Sequence, residues 1–219
     1  MERNVTMAEI SDGKLYSRDD MVKAGCDDCR GCSACCHEMG DTIILDPYDV
    51  YRMTTGMGKS MQELLAASVE LNVVDGVILP NLKMQGTKEA CAYLDEEGRC
   101  SIHPYRPGIC RLFPLGRYYE NGGFSYFLQT GECAKENRSK IKVSKWIDTP
   151  DLTRNQQFTL QWHDLLHAME ERLTGEDEGK QQEENLLLLR LFYLLPYKGT
   201  TDFYSQFMER MEYWNEQIR

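Results

Sequence analysis

Five cysteines stand within eleven residues: Cys26, Cys29, Cys32, Cys35 and Cys36, in the order C-x2-C-x2-C-x2-C-C. A segment this dense in thiols must bond them to each other or to something else. Cysteines two residues apart strain a disulfide outside the redox C-x-x-C motifs, and the total of nine is odd. Thiolate is a soft donor that selects zinc, cuprous copper or iron–sulfur clusters over magnesium and calcium. Two intervening residues let both sulfurs of a pair reach one zinc ion at about 2.3 Å. Small or polar spacers, Asp27, Asp28, Gly31, Ser33 and Ala34, suit a loop folded round a ligand. Adjacent side chains diverge, so Cys35 and Cys36 are expected to serve two centres, or one of them to stand outside coordination.

Composition narrows the setting. The formal net charge is -10 over 219 residues, which argues against a nucleic-acid backbone or an anionic membrane as the main partner. A protein partner of unknown identity stays open. Residues 1–23 lack the apolar stretch of a signal peptide. The most apolar run, 186–195, is interrupted by Arg190 and is about half of the roughly 20 residues a bilayer demands. The chain is expected in the cytoplasm, where thiols stay reduced.

The pattern along the chain reads as α+β: a small, irregular, metal-organised domain with short strands over 1–145, and a helical extension over 146–219 packed on it. The first 25 residues read as an extended lead-in anchored by Met21 and Val22. Residues 42–45 read as a strand. Asp46-Pro47 reads as N-cap and first turn of a helix that Gly56 and Gly58 stop. Ser60 with Glu63 makes a capping box opening a second helix through Val69. Short β-like runs follow to Leu128, and Asn121-Gly122-Gly123 signals a hairpin. Thr149-Pro150 reads as a helix start, with Phe158, Trp162, Leu165 and Met169 at helical spacing. Residues 175–184 read as a charged linker, and 186–195 and 203–214 as two more helices.

A second group, Cys91, Cys100 and Cys110 in C-x8-C-x9-C, with Cys133 beyond it, supplies donors for one four-thiolate centre or two; the bland alternative makes these four small core residues. Three thiolates at x2 spacing also match the iron–sulfur run of bacterial ferredoxins. His37 and His103 are further candidates that cysteine makes unnecessary. Arg106 and Arg111 bracket Cys110 and either offset thiolate charge or pair with acids. His163 and His167, four apart on one helix face, lack the intervening glutamate of a protease motif and read as a helix–domain junction.

Taken together, Cys29-x2-Cys32-x2-Cys35-Cys36, the block from Cys91 through Arg106-Pro107, Cys110-Arg111 and Pro114, and Cys133 resemble the YkgJ-type cysteine cluster family, also called the CxxCxxCC or zinc- or iron-chelating domain. Cys26 stands beside the usual four of the first block. The resemblance implies a metal-binding domain, loosely labelled an iron–sulfur oxidoreductase, and a similar domain is associated with flagellin lysine N-methylases. The expectation is therefore a protein holding an iron–sulfur cluster or iron through Cys26, Cys29, Cys32, Cys35, Cys36, Cys91, Cys100, Cys110 and Cys133, in redox or methyl-transfer service. The alternative is a structural zinc module that mediates protein contacts. No phosphate loop, nucleophile elbow or other pattern marks a catalytic residue.

Overall fold

The computed structural model describes residues 6–30 and 32–218; residues 1–5, Gly31 (one of the small spacers of the cysteine loop) and residue 219 lie outside the described residues. The architecture is mixed α+β, with short antiparallel strands in small sheets and a helical C-terminal part. In chain order come α1 (Met7–Ile10), β1 (Ser11–Tyr16), β2 (Met21–Gly25), α2 (Pro47–Met57), α3 (Met61–Ala67), β3 (Val69–Val74), β4 (Val77–Leu82), β5 (Met84–Gln85) and β6 (Ala90–Cys91). Then follow α4 (Gly108–Leu112), β7 (Leu115–Glu120), β8 (Gly123–Gln129), β9 (Ser139–Lys142), α5 (Val143–Ile147), α6 (Leu152–Leu173), α7 (Glu178–Leu189) and α8 (Phe203–Gln217).

The lead-in is more structured than its polarity suggested. β1 pairs with β8 in the sheet β1-β8-β7, and β2 pairs with β9. Val22 and Ala24 are buried, whereas Met21 is 54% exposed, because successive strand residues face opposite sides; Met21 is no anchor.

Local signals set α2 and α3. Asp46 accepts the Asp49 N–H at 2.8 Å, Pro47 sits at the first helical position, and Gly58 closes the helix in the left-handed conformation. Gly56 lies inside the helix rather than at its end. Ser60 and Glu63 cap each other across the first turn of α3, which stops at Ala67 because Val69 opens β3. Asp75 and Gly76 join β3 to β4, and Asn121 and Gly122 join β7 to β8, with φ of 52°, 82°, 51° and 69°. Both are two-residue hairpin turns with left-handed central residues. Residues 42–45 form no strand: Leu45 donates to the Pro80 carbonyl and Leu82 to the Ile43 carbonyl, leaving a single bridge. Pro80 has no N–H with which to extend the ladder.

The C-terminal helices start at aspartates. Asp151, not Thr149-Pro150, caps α6, and Asp177 caps α7 by accepting from Gly179 and Lys180. Most of the expected linker 175–184 is therefore helix. α7 runs into a π turn, Arg190–Leu194. Arg210 on α8 donates to the Leu191 and Pro196 carbonyls there and lies 3.6 Å from the Tyr197 ring centroid.

Two apolar cores result. The larger gathers Leu45, Met53, Leu64, Leu79 and Leu82 with Phe158, Trp162, Met169, Phe192, Phe207 and Trp214. The smaller holds Val22, Ala24, Leu112, Leu115, Tyr126, Leu128, Val143, Trp146, Ile147 and Leu152. Among the described residues, no helix is long and apolar enough to cross a membrane.

Candidate metal centre

All nine cysteines are free thiols, and each is partly buried. The first block is a loop of two single 3-10 turns, Asp27–Cys29 and Ala34–Cys36. Backbone bonds from Cys29 to Cys26, from Cys32 to Cys29 and from Cys36 to Ser33 (3.3, 3.1 and 2.8 Å) wind it tightly. Asp27 and Cys29 take φ of 52° and 59°, a conformation that costs a residue with a side chain about 1–3 kcal/mol and persists where surroundings impose it.

The second block is brought to the end of this loop by pairing. His37 bridges Ala90 next to Cys91, and Glu38 donates to the Glu89 carbonyl. Leu94 bridges Cys100 across a turn in which Asp95 accepts the Glu97 and Arg99 N–H groups. Cys110 rides on α4, and α2 holds this stretch at three points one to two turns apart. Asp49 accepts the Gly108 N–H at 2.7 Å, Arg52 donates to the Pro104 carbonyl, and Gly56 receives the Tyr105 ring. A Cβ at Gly56 would come within 2.3 Å of that ring, so glycine here serves packing. The sequence reading missed Asp49, Arg52 and Gly56; their spacing on one helix face was the available signal.

Two sets of thiols emerge. Cys26, Cys29, Cys32 and Cys133 line one small recess, to which Cys35 also contributes, walled by Phe113, Pro114 and Trp146. The Cys26 and Cys29 sulfurs are 3.4 Å apart. In the other set Cys36 is within electrostatic reach of Cys35, Cys91 and Cys110, and Cys110 within reach of Cys91, Cys35 and Cys100. Among the described residues no three potential donors stand, as placed, close enough to hold one ion.

Electrostatics favour a cation here. Burial, then the hydrogen bond with Cys26, pushes the Cys29 thiol up to about 12. Burial likewise raises Cys91, Cys100 and Cys110. Cys36 is raised first by its hydrogen bond to Cys35 and then by burial, while that bond brings Cys35 down to about 7. So many thiolates cannot be charged together in a partly dry site without a bound cation, and binding one must expel protons. The donors present thus fit a thiophilic metal.

The flanking groups divide. Arg106, bonded to the His103 ring, lies within electrostatic reach of Cys29, Cys35 and Cys100 and offsets their charge. Arg111 is buried against Asp49 and donates to Thr149, the acid-pairing alternative. His37 meets the Lys88 carbonyl at 3.3 Å. His163 stacks on Tyr119 of β7 at 3.8 Å between centroids, whereas His167 faces Glu171 on its own helix. No curated protein and no solved structure matches the chain. Residues 28–129, which hold seven of the nine cysteines, match the model of the CxxCxxCC family, described as a zinc- or iron-chelating domain.

Proposed function

We propose that the chain holds iron through its cysteine thiolates, as an iron–sulfur cluster on the set of Cys35, Cys36, Cys91, Cys100 and Cys110. The observation that carries the reading is the gathering of this set: Cys36 lies within electrostatic reach of Cys35, Cys91 and Cys110, and Cys110 within reach of Cys91, Cys35 and Cys100, which offers the four thiolates that an iron–sulfur cluster takes. Half-buried sulfurs suit electron exchange with a partner in the cytoplasm, and the family resemblance supports redox service or a place beside a methyl-transfer reaction. The bound group would supply the redox chemistry. The chain's part is to hold the sulfurs, with Arg106 offsetting their charge and α2 fixing the loop that bears Cys100 and Cys110.

Anaerobic purification with iron, zinc and acid-labile sulfide analysis and a visible spectrum tests this. Brown protein with iron and sulfide is expected. A colourless chain with stoichiometric zinc and no sulfide defeats it in favour of the structural zinc module, which the 3.4 Å approach of Cys26 and Cys29 supports.

A further inference from the structure

Arg111 follows Cys110 on α4 and is 4% exposed, yet its charge is thinly answered. A guanidinium carries five N–H donors in a rigid fork. In Arg111, Nη1 reaches the Thr149 hydroxyl at 3.1 Å, while Nε, enclosed by protein, has no partner. Asp49 attracts it only from a distance, because both Asp49 oxygens are already bonded: Oδ1 to the Gly108 N–H at 2.7 Å and Oδ2 to the Asp46 N–H at 3.2 Å. Arg52, one turn further along α2, repeats the pattern. Its Nη2 donates to the Pro104 carbonyl, and its enclosed Nη1 has no partner. The Tyr204 hydroxyl of α8 is a third enclosed group without one.

A single ring gathers the three. The guanidinium carbons of Arg52 and Arg111 lie 6.0 and 5.9 Å from the centroid of Tyr48, and the Tyr204 ring stacks on Tyr48 at 5.8 Å. The two arginines are within electrostatic reach of each other, so like charges are held near one another in a partly dry place. A buried charge, or a buried N–H with no acceptor, carries a desolvation cost that folded chains seldom leave unanswered. What these groups lack is an acceptor, and what the two guanidinium groups lack is negative charge.

We propose that Arg52, Arg111 and Tyr204, arranged about Tyr48, form an oxyanion site that takes the carboxylate or phosphate group of a small molecule. The planar fork of a guanidinium matches two oxygens of either group. Arg52 and Tyr204 are part-exposed and open the site to solvent, whereas Arg111 forms its floor. The site lies between α2, α4 and α8, attracts charge opposite to that drawn by the cysteines, and draws on Tyr204, which stands beyond residues 28–129. It goes beyond the metal reading and does not depend on which metal the thiolates hold.

The test uses the full chain as purified, reduced and with its metal, in isothermal calorimetry. Inorganic phosphate and acetate are titrated separately, each against chloride at equal ionic strength. Saturable binding of one anion per chain is expected, and the anion that saturates identifies the group recognised. Arg52→Gln and Arg111→Met, which remove charge-assisted hydrogen bonds, are each expected to weaken it about tenfold or more. Failure of both anions to saturate at tens of millimolar overturns the proposal. So does undiminished binding in Arg52→Gln or in folded Arg111→Met, the behaviour of an ion held elsewhere on the surface. Should Arg111→Met fail to fold, Tyr204→Phe joins Arg52→Gln in deciding: it removes the hydroxyl alone and is expected to weaken binding severalfold, and binding unchanged in both overturns the site. Metal and sulfide content, measured before and after titration, is expected to stay constant; heat accompanied by metal loss would place the anion on the metal and overturn the proposal. Failure of the iron–sulfur reading leaves the anion result standing.

Discussion

The two cores of this chain are built by different means. In the larger, α6, α8, the π turn and α2 pack aromatic rings edge to face: Phe158 on Phe207 at 4.8 Å, Phe158 on Phe203 at 5.1 Å and Trp162 on Phe192 at 5.1 Å between centroids. Each such ring buries about 150–250 Å², enough for helices to hold without covalent help. The smaller core rests on two-stranded and three-stranded ladders whose connections are cysteine loops with left-handed residues. So few buried side chains offset the ordering of so much irregular backbone only narrowly, the regime in which small folds take a metal or disulfides as staples.

Metal removal should separate the two most sharply. Structural thiolate zinc contributes an apparent 10–16 kcal/mol or so to the folding of small domains, more than a typical domain's whole stability. After chelation under reductant, hydrogen exchange should show β2, β9 and the loop 26–36 losing protection while α6 and α8 keep theirs. Equal loss in both regions would mean that one cooperative unit, not two, depends on the metal. The reciprocal experiment is Phe158→Ala in the larger core, where the side chain is 1% exposed. Truncation of a buried phenylalanine costs about 3–5 kcal/mol, read by urea unfolding, and the metal content of the folded variant should not change.

Those contrasts also explain what the sequence disclosed. Asp46-Pro47, Ser60 with Glu63 and Asn121-Gly122 were legible because a cap or a turn is settled by residues within a few positions. The pairing of β2 with β9 joins residues more than a hundred apart, and nothing local in Met21–Gly25 announces it. α7 was hidden because a solvated helix face, Glu178 to Glu184, resembles a charged linker until Asp177 is seen as its cap. The site was legible as a set of donors, but adjacency suggested that Cys35 and Cys36 diverge, whereas their thiols are hydrogen-bonded to each other. Cys133 joins Cys26 only through β9 and Lys135.

Intermediate effects sharpen how the larger core reaches toward the strands. Asn185, 4% exposed, accepts the Ile78 N–H at 2.6 Å and donates to the Gly76 carbonyl at 3.1 Å, tying α7 to the β3–β4 hairpin. Asn185→Ala strands these backbone groups and should cost about 1–3 kcal/mol by urea unfolding; a neutral result would make the hairpin independent of the helices. Asp46 concerns the cap beside the cysteine loop. Burial, then the like charge of Asp49, pushes its carboxyl up to about 7 from the ordinary 3.8. A raised carboxyl binds its proton more tightly in the folded chain, so its contribution is whole below the ordinary value and is lost as pH climbs through about 7. Asp46→Asn keeps the capping oxygen and removes the titration. Its stability relative to the parent should rise between about pH 4 and 7, and a flat difference would clear Asp46 of any pH effect.

The smallest effect tests whether surface charge adds anything to the helical side of the comparison. Arg154 on α6 and Asp202 at the start of α8 meet through two bonds of 3.1 and 2.6 Å, and both side chains are more than two-fifths exposed. Asp202 also caps α8 by accepting the Ser205 N–H at 2.9 Å, a role asparagine can fill nearly as well. Asp202→Asn therefore removes the charge pair and leaves the cap. Exposed pairs are worth about 0–1 kcal/mol and weaken with salt, so the variant should unfold within a few tenths of a kcal/mol of the parent, and the difference should vanish at high ionic strength. A salt-insensitive loss well above that range would show that the α6–α8 joint depends on this contact rather than on Phe158, Phe203 and Phe207, and the larger core would no longer stand on apolar burial alone.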